Sequence, residues 1–464
     1  MSPSRTSNIG RLAAVWILGL LGAAGAAQTE IPGAERIVER TLDNGLKIIV
    51  WPDEDIPNVA WYHYVRAGAR NEYPGITGIS HFFEHLMFKA SEGLPPGEFD
   101  RIMEAAGGVN NAYTNSDVTV YTDWFPRSAL ETIFRLEADR FARLEFVPEL
   151  VESERGVVVS ERRSSTDDQN QWFLAEQVQA TAFAAHPYQN PVIGWPSDIA
   201  AWTIDDLKRY HRTYYAPNNT TLVIVGDVDP DEVFAYAEQY FGPTPAQEPP
   251  PPVRTVEPPQ TGQRRVEVQR AGQTPYLQVA FHSTAKREPD TLALRMLMDI
   301  LATGESSRLY RRLIDQDQSA VALRGVVDAE FDPGLTWILL TLPADADTAA
   351  VEAALFEELA GIAADGVTVE ELAKVRNIRL ADFWRTLATI DGKADLLGDH
   401  EVFHGDWRDA LTLADRIEAV TPEQIQRIAG DIFRVETSTV GIVVPIAASE
   451  TASNAGTDEA EMGS

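Results

Sequence analysis

A chain of 464 residues, 44% hydrophobic and 23% charged, has the composition of a globular protein and is too long for one comfortable core, so two or more domains are expected. Its formal net charge of −31 argues against nucleic acid and against anionic membrane surfaces as partners. With 0 Cys it has no disulfides and no thiolate metal site, so any bound metal must use histidine and carboxylate.

The N-terminus reads as a signal peptide. Arg5 and Arg11 precede the apolar run Leu12 to Leu21, and the small residues Gly22 to Ala27 come next, with cutting expected after Ala26 or Ala27. Residues 1–27 are therefore set apart from the fold. The mature protein is expected to be exported, most simply to a bacterial periplasm, with no membrane span once the leader is removed; an uncleaved anchor is the alternative. Residues 36–51 read as two strands around a turn at Asp43-Asn44-Gly45, and Ala60 to Val65 as a third strand, with His63 on a strand face.

The run Thr77 to Phe88 (TGISHFFEHLMF) reads as a short helix with Thr77 as its N-cap. Residues four apart share a helix face, so His81 and His85 project side by side and can ligate one Zn²⁺ at about 2.0–2.1 Å each. Glu84 lies close enough to that face to take a proton from a metal-activated water. This is H-x-x-E-H, the inverted zinc-peptidase motif. Phe82, Phe83, Leu86 and Phe88 read as core.

A second helix from about Pro96 to Ala106 ends at Gly107-Gly108. Asp117 to Phe125 alternates as a strand, and helices are expected over Ser128 to Leu144 and from Pro148 onward. Further helical stretches run to about Ala185, and His186 reads as a loop residue. A helix over Thr203 to Tyr215, a buried strand over Thr220 to Val228 and a helix over Pro230 to Tyr240 close the first half. Residues 242–262 are too rich in proline for regular structure and read as a semi-rigid linker. The second half repeats the order of the first: strands at Arg265 to Val268 and Tyr276 to His282, a helix at Asp290 to Ala302, and a closing segment (431–445) that echoes residues 214–228. It has no second H-x-x-E-H motif. From Ala448 the tail is small, polar and acidic, and is expected to be disordered.

Catalytic zinc takes three protein ligands and keeps one open position. On the helix from Pro148, Glu154 and Glu161 lie two turns apart on one face. They could be a solvated acidic face; beside an incomplete zinc helix, one carboxylate instead completes His₂Glu and the other orients a ligating histidine.

With these residues in view, the sequence resembles the pitrilysin/insulin-degrading enzyme/mitochondrial processing peptidase family of zinc metallopeptidases, as a bacterial exported member. The resemblance rests on GISHFFEHLMF (78–88), GGVNNAYT (107–114), ESERGVVVSE (152–161), HPYQNPVIGW (186–195) and YYAPNNTTLVIVGDV (214–228), covering the first half; the second half matches in outline. It implies an α+β fold: two homologous α/β-sandwich domains, each a mixed, largely antiparallel sheet packed with helices, over residues 32–241 and 263–447. It implies Glu161 as third ligand, 76 positions after His85, and Glu154 as the supporting glutamate. It makes 109–114 an edge strand that pairs with a bound peptide, so Asn111, Ala112 and Tyr113 are candidate substrate contacts.

One departure stands out. Family members with a complete site carry an Arg and a Tyr, seven apart, in the second half; alignment on SSRL (306–309) puts Ile314 and Val321 there. The expectation is a related subunit that supplies the pair. The activity implied is zinc-dependent endopeptidase cleavage of peptides or unfolded segments, with Glu84 as base. The alternative is a catalytically impaired scaffold or peptide-binding subunit.

Overall fold

The computed structural model describes residues 29–447. The expected leader (1–27) and the expected disordered tail from Ala448 lie outside the described residues. Six strands form the first sheet: β1 (Val38–Thr41), β2 (Lys47–Pro52), β3 (Asn58–Val65), β4 (Val109–Thr114), β5 (Thr119–Pro126) and β6 (Thr220–Gly226), in the order β1-β2-β6-β3-β5-β4. Five form the second: β7 (Arg264–Ala271), β8 (Tyr276–His282), β9 (Ala322–Ala329), β10 (Pro333–Thr341) and β11 (Ser438–Ile446), in the order β7-β11-β8-β10-β9. β2 runs parallel to β6 and β7 parallel to β11; the other pairings are antiparallel. Without β1, the second sheet repeats the first strand for strand. The protein is an α+β pair of homologous sandwiches.

Each sheet is apolar on both faces and must be covered twice. One face of the first sheet packs on helices of its own half, through Phe82 and Phe83 of the motif helix (Ile79–Leu86), Ile133 and Phe134, and Leu207. Its other face, with Ile49, Ala60, Tyr64 and Val223, is covered by Phe383, Ala394 and Leu397, from helices of the second half, Val369–Thr386 and Ile390–His404. The second sheet is treated reciprocally. Leu174 and Val178 of the first-half helix Asn170–Ala182 pack on Ala280, Leu339 and Val443. Burying one such side chain contributes about 1.5–3 kcal/mol, so the halves hold each other through exchanged helices. Among the described residues, no helix is long and apolar enough to cross a membrane.

The two sheets end on equivalent edges. β4 closes the first sheet beside the motif helix, and β9 holds the same place in the second.

Candidate metal centre

The motif helix is short, and its entry is built differently from the sequence expectation. Its N-cap is Gly78 (φ 84°), not Thr77, and no side chain of the cap residue helps. The first-turn amides are taken by buried Glu72, whose two carboxylate oxygens accept from Gly78 N (2.7 Å) and Ser80 N (2.8 Å). Thr77 instead donates its hydroxyl to Asp198 (2.7 Å) and accepts from Trp195 N (3.0 Å). The reason is steric. A Cβ on Gly78 would stand 2.4 Å from the Ile193 carbonyl oxygen, and one on Gly194 (φ 90°) 2.4 Å from that of Thr77. The helix entry and the loop before Pro196 lie backbone to backbone, which leaves a conventional capping side chain no room.

Ile79, Phe82, Phe83 and Leu86 anchor the helix in the core, and the opposite side presents His81, Glu84 and His85. The second helix of the site, Pro148–Arg162, starts with proline at its first turn and buries Val151 and Val158. Its C-terminal end is fixed by buried Arg162, which pairs with Glu176 (2.8 and 2.9 Å) and donates to the Gly194 carbonyl (2.7 Å). Glu154 and Glu161 face the motif helix.

The rings of His81 and His85 stand 4.8 Å apart, edge to face. Glu161 faces both: Oε1 is 3.7 Å from His81 Nε2, and Oε2 is 3.4 Å from His85 Nε2. One ligand atom from each of the three residues falls within 4.8 Å of the others. Behind them, His85 Nδ1 contacts Glu154 Oε1 at 2.8 Å, and Lys89 Nζ lies 2.8 Å from Glu154 Oε2. That bond puts the proton on Nδ1 and turns the Nε2 lone pair toward Glu161. Glu84 Oε2 accepts from the Thr114 hydroxyl at 2.7 Å.

The electrostatics suit a cation. Burial lowers the His81 pKa to about 4, against the pull of Glu161, so the ring is neutral and free to ligate. On His85 burial opposes charge, but the neighbouring carboxylates of Glu161 and Glu154 outweigh it and raise the pKa. The adjacent His85 ring, with His81 beside it, holds Glu161 below the ordinary carboxylate range. Burial raises Glu84, with the Thr114 bond opposing. Glu161 Oε2, the oxygen nearer His85, is buried and has no hydrogen-bond partner. Two imidazoles and a carboxylate with an orphaned oxygen form a donor set that fits Zn²⁺.

The other expected residues divide between the β4 edge and the second half. Asn111, Ala112 and Tyr113 lie on β4, which pairs only with β5 among the described residues and so keeps an open backbone edge. Their side chains alternate: Ala112 packs on the core behind the motif helix, whereas Tyr113 turns to the far face, toward Tyr64 and Asp395. Ile314 packs on the second core, and Val321 is 60% exposed ahead of β9. His63 is buried in β3, and the Nδ1 of His186 accepts from Tyr188 N. Sequence reading missed Thr114, Lys89 and Glu72. Thr114 closes the segment singled out for its neighbours, but no local pattern marks Glu72 or Lys89.

Two family models match the chain: the insulinase family of M16 peptidases over residues 52–195, and the inactive domain of M16 peptidases over 201–379. The zinc protease PqqE of Helicobacter pylori is 29% identical over 442 residues, covering 92% of this chain and 97% of the relative. An uncharacterised zinc protease of Mycobacterium leprae is 26% identical, covering 89% and 93%. Among solved structures, a protease from Helicobacter pylori superposes with a TM-score of 0.85 at 28% identity, covering 88% of this chain and 99% of that one. The periplasmic protease PqqL of Escherichia coli shares the fold, with a TM-score of 0.72 at 19% identity over 92% of this chain and 49% of its own.

Proposed function

The chain belongs to the M16 peptidase family, and from that premise we propose that it is a zinc-dependent endopeptidase acting on peptides or unfolded segments. The observation that carries the reading is the convergence of His81, His85 and Glu161, with Glu84 alongside. Zn²⁺ bound there would act as a Lewis acid on the scissile carbonyl and acidify a water.

The chain's own residues do the rest. Glu154 fixes the orientation and tautomer of His85. The open edge of β4 receives an extended peptide through backbone hydrogen bonds, which fixes its direction without demanding one sequence. Thr114 occupies one oxygen of Glu84 and leaves Oε1 for a proton, which Glu84 can accept and then pass to the leaving amine.

The reading extends to a partner and a compartment. Ile314, packed on the second core, and exposed Val321 align with the family's Arg/Tyr positions and can supply neither group, which supports a related subunit as the source of the pair. The leader at 1–27 directs the chain to the periplasm. Chelation should abolish peptide cleavage and added Zn²⁺ restore it, while His81→Ala and Glu161→Gln should bind no stoichiometric zinc. Cleavage that survives chelation, or zinc bound normally by both variants, would remove the reading.

A further inference from the structure

Among the described residues the second half contributes no ligand to the His81–His85–Glu161 centre, yet its β9–β10 turn docks on the turn that follows Thr114. Asp117, in the β4–β5 turn, is fully buried. Its Oδ1 accepts from the Tyr188 hydroxyl (2.7 Å) and lies 3.4 Å from Arg70; its Oδ2 accepts from the Phe331 amide (2.6 Å). The Glu330 carboxyl lies beside the same carboxylate, and burial with Asp117 alongside pushes it up to about 9. The adjacent hairpin residue Asp332 takes Arg70 and His186 and donates its amide to the Tyr188 hydroxyl (3.2 Å). The hairpin of the second half is thus fastened to the first at one buried carboxylate.

From that carboxylate two routes lead to the motif helix. Asn115 Oδ1 accepts from the amides of Asp117 and Val118 (both 2.8 Å), which stiffens the turn, and at its root Thr114 holds Glu84. The turn's carbonyls also accept from Ala69 N (3.2 Å) and Arg70 N (2.8 Å), the latter two residues ahead of Glu72, which caps the motif helix.

We propose that Thr114 and Asp117 are positioning residues: the docked hairpin fixes the β4–β5 turn through Asp117, and Thr114 at the root of that turn sets the carboxylate of Glu84. The inference rests on the reading of Glu84 as the base. It gives the second half a role in catalysis although none of its side chains reaches the reacting atoms.

The test uses the zinc-loaded full chain, with the related subunit if cleavage needs it, and a quenched fluorogenic peptide. Thr114→Val should lower kcat about tenfold or more with KM within about twofold, and Thr114→Ser should recover most of the loss, because a base displaced by a fraction of an ångström loses rate rather than binding. Asp117→Asn, or Glu330→Ala should that variant not fold, should lower kcat likewise and speed amide exchange over residues 109–119 about tenfold. An unchanged kcat in Thr114→Val, or unchanged exchange in the Asp117 and Glu330 variants, would overturn the proposal. A wild-type protein with no zinc-dependent cleavage would sink the peptidase reading instead, and the exchange arm alone would then decide whether the hairpin braces the turn.

Discussion

Glu154 reaches the proposed zinc site only through His85, and its replacement makes a graded prediction. It is buried, with one oxygen 2.8 Å from His85 Nδ1 and the other 2.8 Å from Lys89 Nζ. In Glu154→Gln the amide oxygen still accepts from Nδ1–H, so the tautomer survives but the charge that raises imidazole basicity is gone. In Glu154→Ala the Nδ1–H is left in a partly buried site without its acceptor, which costs about 1–3 kcal/mol, and the ring is free to turn its lone pair away from the ion. Loss of such a partner lowers metal affinity by about 10–100-fold, or about 1.4–2.7 kcal/mol. Glu154→Gln should fall near the lower figure and Glu154→Ala near the upper. Competition for zinc against a chelating dye at neutral pH reads both, and metal-free melting checks that the fold is intact. If Glu154→Ala binds zinc within about twofold of wild type, the geometry behind His85 does not orient the ligand and the reasoning fails.

Other parts of the molecule make three more predictions. His63 is buried between Phe141 and Phe241, and burial, then the neighbouring Arg140, lowers its pKa from 6.5 to about 3. Below pH 6.5 the unfolded chain takes up a proton that the folded chain refuses, so stability falls as pH drops through that window, by about 2 kcal/mol from pH 7 to 5. Denaturant unfolding of His63→Leu should show a pH dependence shallower by that amount; parallel pH profiles would contradict it. Gly194→Ala forces a Cβ to 2.4 Å from the Thr77 carbonyl in a left-handed backbone, and should cost about 3 kcal/mol or more, read as a lower urea midpoint. An unchanged midpoint would show that the two backbones are not in contact. A peptide substrate N-methylated at alternate backbone nitrogens should lose about two hydrogen bonds to β4 and raise KM about tenfold; an equal KM would deny strand pairing.

Local pattern carries much of the fold. The Asp-Asn-Gly turn, the β-branched run of β6 and the spacing of the motif helix each specify their element without help from the rest of the chain. The echo of 214–228 in 431–445 anticipates the repeat of β6 as β11. The exchange of helices between halves is not legible, because periodicity says which face of Asn170–Ala182 is apolar and not which sheet it meets. The same limit hides Glu72 and Lys89, whose roles depend on contacts that no short spacing encodes. Thr77 has the chemistry of a cap but does not serve as one, because the close approach of Gly78 to Gly194 joins segments more than a hundred residues apart. The site fares differently. His81, Glu84 and His85 share one helical turn, so their spacing alone brings them together, whereas Glu161 needs the resemblance to separate it from Glu154.

The most direct measurement is the rate of peptide cleavage by Glu84→Gln loaded with zinc. That substitution keeps the size of the side chain and its bond to Thr114 while removing the group that takes the proton. One zinc should remain bound per chain, with cleavage at least about 10²-fold slower than wild type. Wild-type cleavage by a zinc-loaded Glu84→Gln protein would mean that the carboxylate beside His81, His85 and Glu161 is not the base.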